Sequence, residues 1–146
     1  MEPIRLNEIP NELFDSLGTV KNIYFPSQGH TSDVGIIESA KGRFVIKRTK
    51  GEQYCSWLSR EVHALNCLTG TSLPIPAVYQ VVEQKNENQA WALMQYFEGE
   101  TLREALYKEK NTDRRHEMIF LFRSRFVKYS FNALPETIGW RVRLAG

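Results

Sequence analysis

The sequence predicts an α+β fold, a five-stranded antiparallel sheet with one packed helix, followed by two further helices. Three observations predict it. Between Ile23 and Tyr96 the chain reads as strand, strand, strand, helix, strand, strand, an order that suits an antiparallel sheet crossed by one helix. Short polar turns, Ala40-Lys41-Gly42 and Lys85-Asn86-Glu87-Asn88, join neighbouring strands tightly. Beyond Gly99 the apolar spacing becomes helical. Gly99 is therefore the expected boundary, with a first domain over 1–98 and the start of a helical one over 99–146. The 146 residues suffice for one real core, and 42% hydrophobic with 25% charged residues is ordinary for a globular protein.

Taken in order, Leu13, Phe14 and Leu17 share a helical face, and Gly18 stops that helix. Ile23-Tyr24-Phe25 reads as a first strand ended by Pro26, and 27–33 as a polar loop. Val34 to Glu38 and Arg43 to Arg48 form the expected hairpin. From Glu52 to Thr69, residues Tyr54, Trp57, Leu58, Val62, Leu65 and Leu68 make one apolar stripe, closed by Gly70. Leu73-Pro74-Ile75-Pro76 cannot continue a helix and reads as an extended connector. Ala77 to Glu83 and Gln89 to Tyr96 are the last two strands. Thr101-Leu102-Arg103-Glu104 fits a capping box, in which hydroxyl and carboxylate satisfy each other's backbone donors. A final helix is expected over 113–131, with Met118, Ile119, Phe122, Phe126 and Tyr129 as its apolar positions.

Charge and cysteines exclude several function classes. Nineteen Lys and Arg against 17 Asp and Glu leave +2, too weak a bias to point to nucleic acid. Cys55 and Cys67 fall on one helix about 18 Å apart, beyond any disulfide, and read as reduced thiols. Their spacing with His63 fits no zinc pattern. The start of the chain shows no signal peptide and no run approaches transmembrane length, so no membrane is expected and the cytoplasm is the expected compartment.

Lys47 closes the apolar run Phe44-Val45-Ile46, where a charge is costly unless paired. Glu61 follows fourteen positions later on the helix and offers that pairing. A bland alternative is that Lys47 marks the wet edge of a strand. In the loop before Val34, Gly29 permits close backbone approach, and hydroxyls with backbone N–H groups there suit phosphate oxygens. No G-x-G-x-x-G and no G-x-x-x-x-G-K-[ST] sequence occurs, which excludes a P-loop.

Four pieces together resemble the N-terminal lobe of the aminoglycoside phosphotransferase and choline kinase-like family, within the protein-kinase-like superfamily. They are Gly29 to Val34, Phe44-Val45-Ile46-Lys47, Ser59-Arg60-Glu61-Val62-His63-Ala64-Leu65, and Ala92 to Leu102 with its G-x-T-L ending. The resemblance spans roughly residues 20 to 106 and implies ATP as the ligand. It implies that Lys47 meets the phosphates and Glu61 orients it, with Ser27, Gly29 and Ser32 over the phosphates. Val34 and Val45 would pack on the adenine, Met94 at the back, and Gln95, Tyr96 and Phe97 would form the linker beside the base edge.

The family's H-G-D-x-x-x-x-N loop and its later acidic metal-binding motif do not occur in these 146 residues. The expectation is thus a nucleotide-holding lobe that does not turn over alone. Mg2+ and a small-molecule acceptor, such as an aminoglycoside, macrolide or choline, would belong to an intact parent. The other class left open is a non-catalytic binding or interaction module, self-associating through the apolar face of the last helix.

Overall fold

The structure is a computed structural model that describes residues 2–26, 32–127 and 141–142, the side chains of 125–127 and 141–142 excepted. The chain divides into two compact units, Met1–Tyr96 and Phe97–Gly146. In the first, β1 (Val20–Tyr24), β2 (Asp33–Ser39), β3 (Gly42–Lys50), β4 (Val78–Gln84) and β5 (Gln89–Gln95) form one antiparallel sheet in the order β1-β2-β3-β5-β4. Helix α1 (Asn11–Leu17) and helix α2 (Glu52–Leu68) complete the unit.

Strand period divides the sheet's side chains between two faces. On one face Ile37, Ile46, Trp91 and Leu93 are fully buried with Leu13 and Leu17 of α1 and with Ile4 and Ile9 from the N-terminal segment. Gln80 ties α1 to β4, accepting from the Ser16 hydroxyl at 2.9 Å and donating to the Glu12 carbonyl at 3.1 Å. The other face carries Val45, Lys47 and Thr49 of β3 and Ala90, Ala92 and Met94 of β5, and α2 packs across these two strands and β4. At the start of α2 the Gly51 N–H donates to the Asn88 carbonyl at 2.7 Å, fixing the helix to the β4–β5 turn.

The first strand starts earlier than expected. Val20 already pairs with Ser39, and the ladder bulges between Val20 and Asn22, leaving Lys21 and Asn22 both exposed. An extra residue breaks the two-residue period, which hid the start of this edge strand in the sequence. The polar 27–33 stretch also ends sooner, because Asp33 is the first residue of β2. Only Ala40 and Lys41 separate the paired Ser39 and Gly42, a two-residue hairpin in which Gly42 adopts φ 125°. The stripe expected on α2 is corrected as well. Leu58, Glu61 and Leu65 are its buried residues, at three- and four-residue spacing, while Tyr54 and Trp57 are exposed and meet each other edge to face at 5.3 Å.

The second unit contains β6 (Glu100–Thr101), α3 (Leu102–Lys108), α4 (Thr112–Val127) and β7 (Arg141–Val142), with β6 and β7 antiparallel. The capping box is formed: the Thr101 hydroxyl accepts from the Glu104 N–H at 3.2 Å, and Glu104 accepts from the Thr101 N–H at 2.8 Å. On α4, Met118 and Phe122 are half-buried and Ile119 is exposed. Phe126 and Tyr129, expected on the same apolar face, lie outside the described side chains.

The N-terminal segment is held partly by charge. The Arg5 backbone N–H, 2.8 Å from Glu8, and secondarily Arg48 keep the Glu8 carboxyl below its ordinary value of 4.5. A depressed folded value means that Glu8 stabilises fully above pH 4.5 and loses this as pH falls through the lower folded value. Wild type is therefore expected to melt above Glu8→Gln at neutral pH, with the gap closing in acid; a pH series of thermal melts checks it.

Candidate functional site

The site begins with the alternation of β3. Phe44, Ile46 and Arg48 take the α1 face, which places Val45, Lys47 and Thr49 under α2. On α2, Glu61 falls between Leu58 and Leu65, so the spacing that buries those leucines aims its carboxylate at the same sheet face. Lys47 Nζ donates to Glu61 Oε1 in a short ion pair. The two side chains retain only 14% and 12% of their accessible surface. That rules out the wet-edge alternative, because an ammonium this sheltered needs its carboxylate.

Register supplies the surroundings. Val34 stands directly opposite Lys47 on β2, and Ala92 opposite it on β5. Val45 is opposite Met94 and next to Ile36. Val34, Val45, Lys47 and Met94 thus share one sheet face with Glu61 above it, a floor of aliphatic side chains beside a paired cation. Met94 and Ala92 are buried, and Val34 and Val45 are half-buried. Such a surface can take a flat apolar group next to an anionic one.

The remaining expected residues scatter. Ser32 is half-buried at a bend just before β2. Gln95 occupies the other strand phase: its N–H donates to the Ala77 carbonyl at 2.8 Å, and its side-chain oxygen accepts from the Ala77 N–H at 3.2 Å. Those groups are engaged within the sheet and do not join the Lys47 face. Tyr96 ends the first unit with the Arg43 guanidinium 5.8 Å from its ring centroid. Phe97 opens the second unit, and Ser27 and Gly29 lie outside the described residues.

Sequence reasoning missed Ala92, which stands opposite Lys47, and Arg48, whose side chain is 1% exposed. A signal for Arg48 was available. It follows Phe44 and Ile46 in strand phase, so it must enter the apolar face, where a cation needs acidic partners. Among the described residues no group of three or more His, Cys, Asp or Glu can hold a metal ion. Cys55 and Cys67 are free thiols, as expected.

No family model matches the chain, and no curated protein sequence matches it. Solved structures do match. Crystallised aminoglycoside phosphotransferase APH(4)-Ia superposes with a TM-score of 0.50 at 17% identity, over 64% of this chain and 30% of that one. The fold is that of a kinase-like lobe. Two structures of thermostable mutants of the same phosphotransferase, one a ternary complex with ADP and hygromycin B and the other with AMP-PNP and hygromycin B, match at a TM-score of 0.47 and 19% identity. The kinase-like lobe described here thus spans about 30% of the length of these structures. No helix among its described residues is long and apolar enough to cross a membrane.

The ion pair of this lobe separates stability from binding. Removing one partner of a sheltered pair strands the other, and Glu61→Gln is expected to destabilise by about 3 kcal/mol. Replacing both, Lys47→Met with Glu61→Leu, is expected to restore stability to within about 1 kcal/mol of wild type, since apolar packing replaces such pairs without loss. Urea unfolding of the three proteins checks this.

Proposed function

We propose that the first unit is the nucleotide-holding lobe of an ATP-dependent phosphotransferase that acts on a hydroxyl of a small molecule. One observation carries the reading: a lysine fixed by a glutamate on the aliphatic face where Val34, Val45 and Met94 converge. A phosphate chain needs a cation already in place, and Glu61 holds the Lys47 ammonium without neutralising it beyond reach of a second anion. The aliphatic floor suits the faces of an adenine. The kinase-like fold, shared with an aminoglycoside phosphotransferase, supports the same assignment.

In this reading Lys47 contacts the α- and β-phosphates and Glu61 orients it. Val34 and Val45 pack on the base, Met94 lies behind it, and Gln95, Tyr96 and Phe97 form the linker. Ser27, Gly29 and Ser32 cover the phosphates. Mg2+ would come with the nucleotide, but in-line transfer also needs a base and metal ligands, and no H-G-D-x-x-x-x-N sequence is present. The 146 residues therefore bind nucleotide and do not transfer its phosphate. The acceptor in this reading is an aminoglycoside or another hydroxyl compound, and the cytoplasm is the proposed compartment.

A second reading, a non-catalytic binding or interaction module, is favoured by α4. On it Ile119, Phe120 and Leu121 are 46%, 68% and 47% exposed, apolar side chains that a partner would cover.

Calorimetric titration of the 146-residue chain with Mg-ATP and with ADP is expected to show binding that Lys47→Ala abolishes, without ATP hydrolysis or transfer. No binding by wild type would refute the nucleotide reading. Light scattering of the same samples separates the second reading: a concentration-dependent dimer that Phe120→Glu dissolves supports it.

A further inference from the structure

Lys47 and Arg48 are neighbours on β3 that point to opposite faces. Arg48 is opposite Asp33 in the β2–β3 ladder, immediately beside the pair formed by Lys47 and Val34. Its Nε and Nη2 both donate to Asp33 Oδ2, at 2.9 and 2.7 Å, while Nη1 lies 3.1 Å from Glu8 Oε2 and Nη2 3.9 Å from Glu2 Oε2. The guanidinium carbon stands 5.5 Å from the Trp91 ring centroid. The other carboxylate oxygen of Asp33 accepts the Glu2 backbone N–H at 2.7 Å. Glu2 also pairs with Lys50, at 2.5 Å. Each guanidinium nitrogen thereby has an acidic partner, and the side chain is 1% exposed.

A strand's register is fixed wherever one face is specified, since a slip of one residue sends every side chain to the wrong side. On the Lys47 face the β2 residues Val34 and Ile36 are interchangeable aliphatics, which specify register weakly. Asp33 and Arg48 specify it more sharply, because a slip would take the Asp33 carboxylate away from the buried guanidinium it pairs with. We propose that Arg48 and Asp33 are positioning residues for the nucleotide face. The pair locks β2 to β3 so that Val34 stays opposite Lys47, and residues 2–8 brace it from outside through Glu2 and Glu8. This rests on the nucleotide reading above. It adds that affinity for nucleotide is set in part from the far side of the sheet, by residues that never touch the ligand.

The test compares ADP affinity, by calorimetry well below each melting point, for the full chain and three variants. Asp33→Asn keeps size and one acceptor but removes the charge, and it is expected to weaken ADP binding roughly tenfold, as small displacements of binding groups do. Leu13→Ala, which opens a cavity on the same face without touching the pair, lowers the melting temperature and leaves ADP affinity unchanged. Glu8→Gln removes only an outer, exposed partner of Arg48 and gives a smaller loss in the same direction as Asp33→Asn. It decides the matter if Asp33→Asn does not fold. Wild-type ADP affinity in a folded Asp33→Asn, or in Glu8→Gln where that variant alone folds, overturns the positioning role and leaves the nucleotide reading intact. An equal loss of affinity in Leu13→Ala overturns it too, by showing that general destabilisation suffices. If wild type does not bind ADP, both fall.

Discussion

The ion pair between Lys47 and Glu61 is the constraint on which the first unit depends. Two charges with 14% and 12% of their side-chain surface left are expensive to desolvate, and an apolar pair would hold β3 to α2 as well or better. Stability alone gives little reason for it. What the pair does provide is a cation fixed in direction and sheltered from water, where its attraction to an added anion is stronger than at a wet surface. Much of the local architecture follows from keeping that arrangement. Leu58 and Leu65 bracket Glu61 so that its helix position is decided by packing, and the small Ala92 stands opposite the lysine.

The same strand serves two opposed faces, and this divides labour between adjacent residues. Ile46 and Arg48 belong to the core under α1 and the N-terminal segment, while Val45 and Lys47 face α2. The Arg48 cluster makes the register of β2 and β3 a matter of charge as well as of hydrophobic pattern. Gly35 of β2, buried opposite Ile46 of β3, shows how close the packing is. A Cβ there would stand 3.2 Å from Ile46 Cγ2 and 3.3 Å from Ile23 Cγ2, closer than those methyls accept without giving way.

Much of this was legible in the sequence, for identifiable reasons. The β2–β3 hairpin and the β4–β5 pair carry apolar runs of strand length joined by short polar turns, and the capping box at Thr101 is a local motif that needs no tertiary context. Lys47 could be matched to Glu61 because it closes an apolar run and a carboxylate follows fourteen positions later on the helix. The first strand was misplaced at its start because a bulge breaks the period at Lys21 and Asn22. On α2 the large aromatics Tyr54 and Trp57 outweighed Glu61 in the apolar count, although the buried stripe runs through the glutamate. Arg48 was overlooked because its partners, Glu2, Glu8 and Asp33, lie far apart in sequence, and only the hairpin register and the path of the N-terminal segment bring them together.

The most direct measurement is the side-chain resonance of Lys47, followed by NMR as the chain is titrated with ADP and, separately, with adenosine. If the lysine is held by Glu61 to receive phosphates, ADP shifts its signal while adenosine moves Val34 and Met94 but leaves Lys47 unchanged. If ADP binds, as seen at Val34 and Met94, and the Lys47 signal does not move, the pair is a structural ion pair and the account built on it is wrong.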